Sequence, residues 1–252
     1  MKKHTSTTTP RRWTRYAVGG GLTAALALGT ATGAFAAGPG GADGRAGTRG
    51  TGTNAKAACL TAVDRRLSTL DQLATTAAKD RDPANAAALQ QELTAETAGL
   101  TDLRTQIHGA ADTAALADLC KKVVLDYRVF ALEAPTTHLA VAADGELAVA
   151  TKLDSRVPDL QRLIDEAKAA GTDTSAAEAK LADLQAKTAA AHQAVTGSAA
   201  TVIALTPAQF NGGEASPVLQ ATRAKVEQSR SDLKAAVQDA KDIVGQLRPS
   251  HG

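Results

Sequence analysis

Three features of this sequence predict an all-α fold: abundant alanine with scarce aromatics, apolar residues spaced by threes and fours, and capping signals between the spaced runs. Hydrophobic residues make up 44% of the chain, but aromatic residues only 2%. Alanine is the strongest helix former, and Leu, Lys, Gln, Glu and Arg follow it. Alternating steps of three and four keep one apolar stripe facing a neighbouring helix. The expected architecture is an elongated antiparallel helical bundle or coiled coil of about six helices in two layers. A signal peptide and a disordered linker are expected to precede it.

Residues 1–36 carry Lys2, Lys3, Arg11, Arg12 and Arg15 and no acid. An apolar stretch from Ala17 to about Ala31 leads to Ala34-Phe35-Ala36. A basic start, a short apolar middle and an A-x-A end describe a secretory signal peptide, with cleavage expected between Ala36 and Ala37. Glycine and threonine dilute the stretch below what a retained membrane span requires. Arg11-Arg12 raises the twin-arginine route, but Thr14 and Arg15 follow where apolar residues belong, so general secretion is preferred. Without the leader, 23 basic residues face 26 acidic ones. The basic balance belongs to the leader, and no basic patch for nucleic acid remains. Residues 37–54 are glycine-rich with almost nothing apolar, so they read as a disordered linker.

The first helix is expected from Ala55, with a seam at Leu60, Val63, Leu67, Leu70, Ala74 and Ala77. Asp82-Pro83 reads as an N-cap followed by proline at the first helical position. The second seam is Ala86, Leu89, Leu93, Glu96, Leu100, Leu103 and Ile107, with Glu96 alone breaking it. Gly109 ends this helix, and Asp112 or Thr113 caps the third. Leu116, Leu119, Val123, Tyr127 and Phe130 form the apolar side of the third, which Pro135 ends. A long helix follows over about 136–170, with Asp144-Gly145 weakening its early turns, a kink expected at Pro158 and a stop at Gly171. Ser175 and Glu178 have capping-box spacing. The helix they open has the seam Ala177, Leu181, Leu184, Thr188, Ala191, Val195, Ser198 and Val202. Thr206-Pro207-Ala208-Gln209 resembles a second capping box opening one short turn. Ser216-Pro217 opens the last helix, with Leu219, Val226, Leu233, Val237, Ala240, Val244 and Leu247 as its seam. Two units follow from these lengths, short helices over 55–134 and long ones over 135–249. The one competing reading is a hairpin of RVFAL and HLAVA about Pro135.

Cys59 and Cys120 are the only cysteines. An even count in an exported chain points to a disulfide. An up-down-up order places both near the same end of adjacent helices, within bridging reach. Closing about 60 residues is worth roughly 4 kcal/mol in the chain-entropy model. That matters for a core whose short alanine side chains have little apolar area to bury.

Motifs for chemistry are missing. No histidine has a ligand partner at metal spacing, and no H-E-x-x-H, G-x-S-x-G, G-x-G-x-x-G or Walker loop occurs beyond the leader. Neither a cofactor nor an enzymatic activity is expected. The rare bulky residues gather instead at 126–144, DYRVFALEAPTTHLAVAAD. There Tyr127, Phe130 and Pro135 read as a wedge fixing the joint between short and long helices. Tyr127, Arg128 and His138 are the candidates for an exposed recognition surface at that joint.

The leader, this block and ALTPAQFNGG at 204–213 together resemble secreted, alanine-rich, predicted coiled-coil (helical) proteins of high-GC Gram-positive bacteria, the actinobacteria. The resemblance implies a secreted helical protein and brings no catalytic residue with it. The expected role is that of a secreted or envelope-associated helical structural or interaction protein. It would engage a protein or cell-wall partner or its own copy, with no membrane span after cleavage. The alternative is an extracellular helical-bundle carrier of an apolar ligand or metal.

Overall fold

The structure, a computed structural model, describes residues 52–247. The expected leader with its Ala36–Ala37 junction, and the linker up to Thr51, lie outside the described residues. Every regular element among the described residues is helical. In chain order they are α1 (Gly52–Ala77), α2 (Pro83–Gly109), α3 (Thr113–Leu125), a π-helical turn (Val129–Glu133), α4 (Ala134–Asp154), α5 (Val157–Ala169), α6 (Ser175–Val195), α7 (Ser198–Ile203), α8 (Pro207–Asn211) and α9 (Ala215–Leu247). Both arms of the alternative hairpin, RVFAL and HLAVA, lie almost wholly in the π-turn and α4.

The capping signals explain most boundaries. Asp82 accepts hydrogen bonds from the Ala84 and Asn85 amides and opens α2, with Pro83 in the first turn. Asp112 accepts from the Ala115 amide and opens α3. Thr206 and Gln209 form the expected reciprocal capping box. Such contacts satisfy amides that a helix start otherwise leaves unpaired. The box expected at Ser175 and Glu178 does not form: Thr174 is the N-cap, and its hydroxyl donates to Glu178 instead. The first helix begins at Gly52, ahead of the expected Ala55. Pro158 does more than kink the long helix, because residues 155–156 separate α4 from α5. Gly197, at φ +73°, likewise splits α6 from α7. That left-handed conformation is readily adopted only by glycine.

α1 and α2 run antiparallel. Lys56 near the start of α1 donates to the His108 and Ala110 carbonyls at the end of α2, and Arg104 meets Asp64 at 2.7 Å. The Cys59–Cys120 disulfide joins α1 to α3 across a Cα–Cα distance of 5.7 Å. The expected seam of α6 and α7 is buried at every position, from Ala177 to Val202. The α2 seam is buried at Leu89, Leu93, Leu100, Leu103 and Ile107, with Glu96 half-buried at its edge.

The α9 stripe differs from expectation. Its buried positions are Ala215, Leu219, Thr222, Val226, Ser229, Leu233, Ala236, Asp239 and Ile243. Val237, Ala240 and Val244 fall at the edge instead. Asp239 occupies a seam position because α6 supplies two ammonium groups to it. Lys180 lies 3.2 Å and Lys187 2.7 Å from its carboxylate oxygens, and Lys180 also reaches Asp242. A buried carboxylate held this way is tolerated where an isolated one is not. These pairs place the start of α6 beside the end of α9, so the two run antiparallel.

Two apolar cores result. One gathers residues of α1, α2, α3, the π-turn and α7 with the first halves of α4 and α9. The other gathers the second halves of α4 and α9 with α5 and α6. Ala140, Ala143 and Ala150 of α4 are wholly buried. Small side chains there let the neighbouring backbones approach closely.

Replacing Cys59 and Cys120 with serine together is expected to lower unfolding stability by about 2–5 kcal/mol. Urea denaturation followed by circular dichroism measures it. An unchanged midpoint would show that the clip is not a stabilising constraint.

Candidate functional site

Residues 124–138 hold the expected joint residues Tyr127, Arg128, Phe130, Pro135 and His138, although not arranged as the sequence suggested. α3 stops at Leu125, and residues 126–128 are not helical. Asn211 holds that end from 86 positions away: its side-chain amide donates to the Leu125 carbonyl and its oxygen accepts from Arg128 Nε at 2.6 Å. Pro135 does not end a helix. It lies in the first turn of α4, inside a helical run that begins at Val129. A proline there cannot donate to the carbonyl four residues back, and its ring crowds that carbonyl. The wider π-turn, closed by the Ala134 amide on the Val129 carbonyl, gives the ring room.

Tyr127 and Phe130 therefore do not share a face. Tyr127 is half-buried against Gly99 of α2, where an added Cβ would lie 2.5 Å from the phenol oxygen. Only glycine leaves space for the ring, so Tyr127 is wedged against α2. Phe130 is 52% exposed, with Val124 and Leu125 at 44% and 45%. Arg66 of α1 stacks over the Phe130 ring at 5.1 Å, and Arg128 over Phe210 at 5.3 Å. Burial lowers the pKa of Arg66, and the Arg128 charge lowers it further. His138 is exposed on α4.

The inner side of the same segment is acidic. Glu133 is 2% exposed, and its Oε1 has no hydrogen-bond partner. Glu92 and Glu96 act on it from α2, and Glu96 Oε2 is also buried without a partner. Burial, with Glu92 and Glu96 adding repulsion, pushes Glu133 up to about 8. Burial and then Glu92 push Glu96 up to about 7. The sequence signal was the seam-breaking Glu96. Its counterpart Glu133 carried none, because its burial depends on where α4 lies. Further along α4, Asp144 receives Asn85 at 2.7 Å and Glu146 receives Arg230 at 3.0 Å.

A wide-mouthed concavity of about 330 Å³ lies beside the disulfide, between α1 and α3. Its lining is apolar, with Ala55, Ala58, Leu116 and Ala117 around the two cysteines. Among the described residues no group of three or more His, Cys, Asp or Glu is arranged to hold a metal ion. No helix among them is long and apolar enough to cross a membrane. No family model, curated protein or solved structure matches the chain.

The raised carboxyls fix the sign of a pH response. Unfolded glutamate loses its proton near 4.5, whereas folded Glu96 and Glu133 keep theirs to about 7 and about 8. Stability is then full below about pH 4.5 and falls as pH rises towards 8. Glu178 and Asp242, whose lysine partners lower them, act in the opposite sense at lower pH. Within the window His138, which burial lowers, opposes the fall, and Asp144, which burial raises to about 6, adds to it. The thermal midpoint is expected to drop between pH 5 and 8.5, at about 2–4 °C per kcal/mol for a chain of this size. Glu133→Gln should raise the midpoint at pH 8.5 and flatten the profile. Parallel profiles for the two proteins would refute this. Separately, Gly99→Ala is expected to cost about 1–3 kcal/mol by overpacking against Tyr127, read by the same melts.

Proposed function

We propose that this chain is an exported, helical interaction protein of the cell envelope that works through its surface. The carrying observation is the exposed apolar group Val124, Leu125 and Phe130 at the joint, flanked by Arg66 and Arg128. Single exposed apolar residues are ordinary, but three within seven positions beside two arginines have the composition of a docking surface. The leader supports export, and an intramolecular disulfide suits an oxidising compartment. Cleavage after Ala36 would leave the helices free to meet a protein or wall partner, or a second copy, outside the cytoplasmic membrane.

The concavity beside the disulfide favours a second reading, a carrier of a small apolar ligand, because its volume falls at the lower end of ligand pockets. The two readings respond differently. Phe130→Ser should abolish association, seen by sedimentation and cross-linking of the exported protein, with a thermal midpoint that hardly moves because exposed sites contribute little to stability. A carrier would instead melt higher with fatty acids or other apolar ligands present, whatever residue stands at 130. Association that survives Phe130→Ser would remove the joint from the docking surface.

A further inference from the structure

The structure assigns the joint a partner class: an acidic peptide segment with an apolar anchor, its carboxylates on Arg66 and Arg128 and its anchor on Phe130 and Leu125. This rests on the reading of the joint as the docking surface. Arg66 and Arg128 are near enough for one charge to disfavour the other, yet no carboxylate among the described residues closes an ion pair with either. Arg66 spends one nitrogen on the Ala62 carbonyl, and its buried Nε has no partner. Arg128 gives its Nε to Asn211. Both guanidiniums sit over aromatic rings, at 5.1 and 5.3 Å from the centroids, so less side-chain freedom is left to lose when a carboxylate arrives. Planar guanidinium forks match carboxylate geometry in a way a lysine does not.

Charge decides between a narrow segment and a broad anionic surface. Beyond residue 36 the chain carries more acid than base. Around this segment Asp102 and Asp126 are exposed, and both act on Tyr127. An anionic bilayer would meet these acids over its whole contact, whereas a peptide reaches the two guanidiniums alone.

The test uses the exported protein and four probes: an amphipathic peptide of Leu, Ala and Glu, its counterpart with Lys for Glu, phosphatidylglycerol vesicles, and the protein itself. The Glu peptide is expected to bind and the Lys peptide not. Added salt should weaken the complex, since partly exposed charges are screened. Arg66→Gln and Arg128→Gln should each weaken it by about tenfold or more, as loss of a charged hydrogen bond does, while Arg66→Lys keeps part of the affinity. Thermal melts of each variant confirm folding, and Arg128→Gln serves if Arg66→Gln does not fold. Equal binding of both peptides overturns the acidic class. So does Phe130-dependent binding that ignores salt and both arginine variants, and the docking surface then stands without it. Arginine-dependent binding of vesicles alone, or of a second copy alone, also overturns it. If Phe130→Ser changes no binding, the docking surface itself falls.

Discussion

The packing of α4 constrains everything around it. Its alanines at 140, 143 and 150 are wholly buried, and α1, α2, α6, α7 and α9 close on it. Tight enclosure excludes water, so a polar group on its buried faces is costly unless it finds a partner within the protein, and the hydroxyls of Thr136 and Thr137 and Oε2 of Glu146 find none. Asp144 takes Asn85, and Glu146 takes Arg230. Glu133, at the entry to the helix, takes none and faces two further carboxyls. The same enclosure that stabilises the middle of α4 thus leaves its beginning in tension with neutral pH.

That entry also explains why the joint is irregular. Three demands meet within a dozen residues: Tyr127 must seat on Gly99, Pro135 must enter without an amide, and α3 must stop short. The break at 126–128 and the π-turn at 129–133 answer all three together. They turn Phe130 outward as a result. The exposed ring is a product of how the wedge and the proline are accommodated, and Arg66 covers only one part of it.

Much of this was legible in advance. The all-helical class, the caps at Asp82, Asp112 and Thr206, the α6–α7 seam and the Cys59–Cys120 pairing all rest on local spacing and simple topology. The failures share a cause. Reading α9 by apolar identity moved its stripe to Val237 and Val244, because Asp239 looks solvent-facing until Lys180 and Lys187 are seen beside it. Ending a helix at Pro135 applied a sound local rule that a wider turn sidesteps. Asn211 on Leu125, and Glu133 opposite Glu96, join positions distant in sequence, and no periodicity marks such pairs. The candidate site was found as a segment, but its two faces, one basic and aromatic, the other acidic, came only from the packing.

The Cys59–Cys120 bond encloses the whole of α2 in a covalent ring. Glu92, Glu96 and Gly99, the surfaces on which Glu133 and Tyr127 rest, are all members of that ring. A single peptide-bond break in either of its turns, at 78–82 or 110–112, would open the loop yet release no fragment. Against proteolysis, the element that receives the joint is thereby tethered twice over.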